Sequence, residues 1–211
     1  FIFVIFKNDR FFGLRKDFFA FFLGFLLSVL VVVFINNFDK YMAGLSVSVE
    51  RAGSYFYWFT LLVYPFSMIA SFIAMRKIVD SKIEFSFDEF RAKVLRYLAF
   101  GALSGFLYFL IVFCLVSFFS PPEISWGLIF LFFGVCVLKI LYSLLSSAFG
   151  AVSESSNIIR SNLVFVLAVG VIFVVYGDAD TLEDVAFLLF VLLLVRSISF
   201  YLELRVQFLR S

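Results

Sequence analysis

The sequence predicts an all-α membrane protein, a polytopic bundle of six transmembrane helices, and three observations predict it. Six long apolar runs cover residues 17–37, 55–75, 95–119, 124–149, 158–176 and 182–204. Hydrophobic residues make up 64% of the 211-residue chain and the mean hydropathy is +1.11, more apolar surface than a soluble domain of this length can bury. The seventeen Lys and Arg residues are also sorted by side. With successive connections assigned alternately to two faces, one face receives only Lys40 and Arg51, Lys139 and Arg196 fall inside apolar runs, and the other thirteen share the opposite face. A run of about 20 apolar residues spans ~30 Å of hydrocarbon at ~1.5 Å per residue, and without water to partner its backbone it must be helical. The charge asymmetry over short connections puts the basic face and the C-terminus in the cytoplasm, as expected for a multi-pass protein of the cytoplasmic (inner) membrane.

Residues 1–6 form an apolar stub too short to cross a bilayer. The stub reads as the end of a preceding transmembrane helix, with residues 7–211 forming one six-helix lobe. Residues 7–16 make a basic connector, and the first helix runs outward from it. Its apolar signal ends at Ile35, but the moderately apolar stretch after Asp39 and Lys40 leaves room for the helix to continue. Asp39 and Lys40 are then either an exposed pair of little energetic consequence or a cavity pair whose carboxylate binds a proton or cation.

Residues 76–93 are the largest connection on the basic face. Ser86 and Glu89 have capping-box spacing, with Phe85 and Phe90 as the matching staple, so an amphipathic lead-in starts near Ser86. Pro121 suits the first position of the fourth helix, and Thr181 with Asp184 opens the last. The short outer turns pair helices three and four, and five and six, as hairpins. Tyr57, Trp58 and Tyr64 fit an interfacial aromatic belt and core packing. The 35 Phe residues are expected at lipid-facing positions, where Leu would serve as well.

Several functional classes are excluded by what is missing. The chain has no His, which removes the commonest general base and imidazole ligand, and no carboxylate or cysteine cluster has metal spacing. No Gly-rich phosphate loop is present and no connection is long enough for a catalytic head, so neither an enzyme nor a cofactor is expected. The net charge of +2 follows from membrane topology and does not indicate nucleic acid. Cys114 and Cys136 lie in apolar runs and read as small apolar residues rather than a disulfide.

Intramembrane charge is the informative chemistry. Cys136, Lys139, Tyr142, Ser143 and Ser146 recur at three- and four-residue spacing, so they form one polar stripe on the fourth helix. Lys139 either lines a cavity or snorkels to the basic interface. Snorkelling would run against the N-terminal lean of helical side chains, which favours the cavity with Tyr142 and Ser143 as co-lining groups. Arg196 has apolar neighbours Leu192, Leu193 and Phe200, and lies near enough to the helix end for interfacial anchoring. Its alternative is a second cation facing the same cavity.

The stretch Asn36-Asn37-Phe38-Asp39-Lys40-Tyr41, followed by Gly53-Ser54-Tyr55 and Pro65, resembles the pattern N-x-x-D-[RK]-x, G-x-Y, P of polysaccharide and O-antigen flippases. These belong to the multidrug, oligosaccharidyl-lipid and polysaccharide exporter superfamily. Residues 142–162, with Gly150, Ala151 and then Arg160, are similar to the connection between that family's tenth and eleventh helices. The likeness extends from Arg15 to the C-terminus and implies the C-terminal lobe of a two-lobe exporter whose N-terminal lobe is missing from this sequence. It further implies a lipopolysaccharide-type export function: a cationic cavity binding the diphosphate of an undecaprenyl-linked oligosaccharide, and alternating access by rocking of the lobes. Lys139, Arg196, Tyr142 and Ser143 would bind this substrate, and Asp39 would serve ion coupling. Lys40 stands where Arg is usual, which weakens a bidentate grip on phosphate. The competing readings are a cation-coupled multidrug antiporter using Asp39 and a non-transporting scaffold. In the scaffold reading, residues 76–93 dock a glycan polymerase or glycosyltransferase.

Overall fold

The computed structural model describes residues 16–83, 86–119, 121–176 and 179–210. Residues 1–6 and Phe85, with its proposed staple, lie outside the described residues. Among those described, the chain forms seven helices and no strand: α1 (Lys16–Ser46), α2 (Val49–Leu62), α3 (Tyr64–Ile83), α4 (Phe87–Val116), α5 (Trp126–Val152), α6 (Ser155–Tyr176) and α7 (Leu182–Arg210). Five are individually long and apolar enough to cross a membrane, and α2 with α3 forms a pair bent by 43° that makes a sixth crossing when the two are counted as one span. The predicted all-α membrane bundle is therefore what the chain forms.

The second apolar run differs from a straight helix because Pro65 has no backbone N–H and its ring crowds the carbonyl of Leu61, one turn back. In an apolar medium the freed carbonyls need new donors. The Tyr108 hydroxyl donates to Leu61 O at 2.7 Å, and the Cys136 thiol lies 3.6 Å from Leu62 O. Side chains from α4 and α5 thus complete the break in the α2–α3 crossing.

α1 continues past Asp39 to Ser46. Its inner stripe of Val31, Ile35, Phe38, Asp39 and Ala43 is buried, following helical spacing. α4 starts at the predicted place, with Ser86 as N-cap, but the Ser86 side chain makes no cap hydrogen bond. Glu89 instead pairs with Lys93 at 3.1 Å. Pro121 is not a helical residue. α5 begins at Trp126 and is capped by Ser125, whose hydroxyl accepts from Leu128 N at 3.1 Å. Ser125 was free to cap because its extended backbone (ψ 150°) aims the hydroxyl at the orphan amides. At α7 the predicted box closes in both directions: Asp184 N donates to Thr181 Oγ1 at 3.1 Å, and Thr181 N donates to Asp184 Oδ2 at 3.0 Å.

α5 is the hub, packed against α3, α4 and α7, while α1 packs on α6 and α7. Close approach around α5 depends on small residues, as in many membrane helix contacts. A Cβ on Gly134 would meet the Phe190 ring at 2.9 Å, and one on Gly105 would meet the Phe133 ring at 3.3 Å. The Phe residues divide between environments rather than simply facing lipid. Phe25, Phe72 and Phe130 are exposed, whereas Phe59, Phe132, Phe149 and Phe165 are buried. Tyr55, Phe59 and Phe132 form one edge-and-stack cluster and Trp58 stacks on Phe113, a directional packing that Leu would not reproduce.

The connections alternate between the two ends of the bundle. The α1–α2, α4–α5 and α6–α7 connections line one open basin of about 850 Å³ that includes Ser48, Glu123 and Thr181. At the opposite end Ser153 donates to Gln207 Oε1 at 3.1 Å, and the Phe87 and Tyr201 rings lie 5.8 Å apart.

Candidate functional site: a polar seam between α1 and α5

A cleft separates α1 from α5, and two adjoining pockets fill it. One, of about 260 Å³, is lined by Asn36 of α1, Ser67 and Ser71 of α3, and Lys139, Tyr142, Ser143 and Ser146 of α5. The other, about 310 Å³, is lined by Gly24 and Ser28 of α1, Tyr142 and Ser146 of α5, Ile158 of α6 and Arg196 of α7. Val32, Tyr142 and Ser146 line both, so the pockets form one seam. The polar stripe read from α5 is the wall of this cleft. Cys136 is the exception, since it is buried and turned toward the end of α2.

Lys139 lines the cavity. Its ammonium donates to Ser67 Oγ at 2.9 Å and sits 5.2 Å from the centre of the Phe59 ring. An ammonium has three donors, and one hydrogen bond leaves capacity directed at the pocket. Tyr142 and Ser143 lie on the same lining, so the structure brings three of the expected binding residues together.

Arg196 is not an interfacial anchor. It is 2% exposed and its guanidinium lies between the rings of Phe165 and Phe200, with centroids at 5.2 and 4.2 Å. Nη1 donates to Ser161 O at 2.9 Å and Nη2 donates to Asn162 Oδ1. Asn162 Nδ2 in turn donates to Ser28 Oγ at 2.7 Å, and the Ser161 and Ser199 hydroxyls are 3.0 Å apart. This network ties α7 to α6 and α6 to α1. A buried cation is tolerated because polar partners and two aromatic faces replace its hydration. The expectation of interfacial anchoring failed because those partners come from α6, beyond any local sequence window.

Asp39 is also buried, at 1% exposure. The Tyr55 hydroxyl donates to its Oδ2 at 3.4 Å, while Oδ1 has no partner among the described residues. Lys40 turns outward and bonds Asn37 Oδ1 at 3.3 Å, so the adjacent pair is not an ion pair. Asp39 lies near enough to Lys139 for their charges to interact. It does not line either pocket.

The binding partners that sequence reading missed are Ser28, Ser67, Ser161 and Asn162. Their signal was present as polar residues inside apolar runs, yet only Ser67 and Ser28 face the cleft, and nothing local distinguishes them from Ser104, which merely bonds Gly101 O within its own helix at 3.2 Å. No metal-binding group of His, Cys, Asp and Glu occurs among the described residues.

The fold and site together define an all-α, multi-pass membrane bundle with a cationic intramembrane cleft. Comparison with protein-family models, curated proteins and solved structures returns no match.

Proposed function

We propose that this chain is one lobe of a flippase that moves a diphosphate-linked oligosaccharide lipid across the cytoplasmic membrane by alternating access. The observation that carries the reading is Lys139: a cation held in the seam by one hydrogen bond, above hydroxyls of Tyr142, Ser143 and Ser146. A low-dielectric cleft strengthens attraction to a dianionic head group, and hydroxyls at its side suit phosphate oxygens and sugar. The resemblance of the stretch from Asn36 to Tyr41, with Gly53, Tyr55 and Pro65, points the same way. The opposing lobe would close the cleft over the head group. Arg196 acts in this scheme as the clamp that fixes the cleft wall, with its field adding to that of Lys139.

The test is surface-glycan export in cells that depend on this gene. Lys139→Ala should reduce export at least ten-fold at unchanged membrane abundance, and Lys139→Arg should retain part of it. Wild-type export by Lys139→Ala would sink the role of this residue.

Asp39 favours a second reading, cation-coupled export of drugs, because its unpaired Oδ1 is a ready acceptor for a proton or sodium ion. Two intramembrane cations disfavour a cationic substrate. Efflux of a cationic dye that is lost in Asp39→Asn would favour the antiporter, whereas glycan export lost in both Asp39→Asn and Lys139→Ala fits an ion-coupled flippase.

A further inference from the structure

A groove on the far side of α5 from the polar seam has a different chemistry. α4 and α7 both pack on α5, and between them lies a cavity of about 270 Å³. Its walls are Val94 and Leu95 of α4 and Leu194 and Ile198 of α7, and its floor is Leu141 and Leu145 of α5. Ile198 is 48% exposed, so the groove opens sideways to whatever surrounds the bundle. At the end where Phe87 meets Tyr201, the two walls close on each other through that ring contact.

The same end carries a charge. Arg91 lines the groove and, because helical side chains lean toward the helix N-terminus, its guanidinium is directed toward the Phe87 end of α4. Neighbouring Lys93 is engaged by Glu89 at 3.1 Å, but Arg91 forms no ion pair with a described residue. Arg205 follows Tyr201 by one turn on α7 and is exposed, adding a second positive charge to this end. An apolar trough with one cationic rim is the shape of a binding site for an amphiphile whose charge is negative and sits at one end.

We infer that this groove holds an acyl chain of an anionic glycerophospholipid from the leaflet on the basic side, with the phosphate on Arg91. A zwitterionic lipid fills the trough equally well but gains less from the rim. Each Lys or Arg near an anionic membrane surface favours anionic lipid by about five-fold, and the Arg fork can grip phosphate through two donors. The groove lies across α5 from Lys139, and the inference is independent of what the seam transports.

The test is native mass spectrometry of the detergent-purified full chain, titrated with dioleoylphosphatidylglycerol or dioleoylphosphatidylcholine. The wild type should retain phosphatidylglycerol several-fold better. Arg91→Ala should remove most of that preference, Arg91→Lys should keep part of it, and Ile198→Trp, placed at an already exposed site, should lower retention of both lipids by filling the trough. Equal retention of the two lipids by the wild type overturns the inference. So does an unchanged preference in Arg91→Ala, unchanged retention in Ile198→Trp, or a dimer that Ile198→Trp dissociates, since the occupant would then be a second copy of the chain.

Discussion

Lys139 and Arg196 look alike in the sequence, as lone cations in apolar runs, yet their surroundings give them opposite roles. Lys139 has one hydrogen bond and faces its pocket with donors to spare, while Arg196, at the edge of the adjoining pocket, commits both Nη groups to Ser161 and Asn162 between two rings and leaves only Nε without a partner among the described residues. Removing Arg196 leaves Asn162 Oδ1 without its donor, takes the second donor from the Ser161 carbonyl and loosens three helices at once. Because hydrogen bonds to charged groups contribute ~1.5–3 kcal/mol each, Arg196→Ala should cost at least about 3 kcal/mol, and Lys139→Ala, which loses a single such bond, about half as much. Thermal unfolding of both variants in the same detergent checks the order, and an equal loss would show that Arg196 is no clamp. The local rules could find the polar stripe on α5, because three- and four-residue spacing is written in one helix. They could not find the Arg196 clamp, whose partners lie 34 and 35 positions away.

The broken crossing shows how an element in a membrane depends on its neighbours. Pro65 removes the donor that Leu61 O would otherwise use, and the Tyr108 hydroxyl of α4 replaces it at 2.7 Å. Tyr108→Phe keeps the ring but orphans the carbonyl, so stability should fall by about 1–3 kcal/mol. Adding Pro65→Ala restores an N–H to the helix and should recover much of that loss, a coupling that a double-mutant cycle in detergent would read directly. Strict additivity of the two substitutions would disprove the compensation. Gly134 is the corresponding contact between α5 and α7. Leu at this position would drive side-chain atoms into Phe190, whose ring already lies within 2.9 Å of an ideal Cβ, and should cost ~1–3 kcal/mol by overpacking. Helix existence was legible from apolar runs, but the 43° bend was not, because Pro65 alone does not say which side chains will donate to the freed carbonyls.

At the scale of the whole molecule, the alternation of the chain was legible because each crossing is longer than ~17 residues and each connection is short. The packing order was not, since an apolar face looks the same toward lipid as toward another helix, and only close contacts such as Gly105 on the Phe133 ring make α5 the hub. One consequence separates the weave from its orientation. Ser48 and Glu183 line the basin at one end, and Ser153 bonds Gln207 at the other; Arg91 and Arg205 are exposed toward the latter end. In a Cys114→Ala background, with Cys136 left buried, single Cys residues placed at Ser48, Glu183 and Ser153 should react differently with a membrane-impermeant maleimide. If the basic end is cytoplasmic, Ser48→Cys and Glu183→Cys label in intact cells, and Ser153→Cys labels only after permeabilisation. The reverse pattern would keep the fold and invert the protein in the membrane. Labelling of Ser48→Cys and Ser153→Cys from the same side would contradict the alternation itself, because α2 to α5 make three crossings between those positions when the bent pair is counted as one.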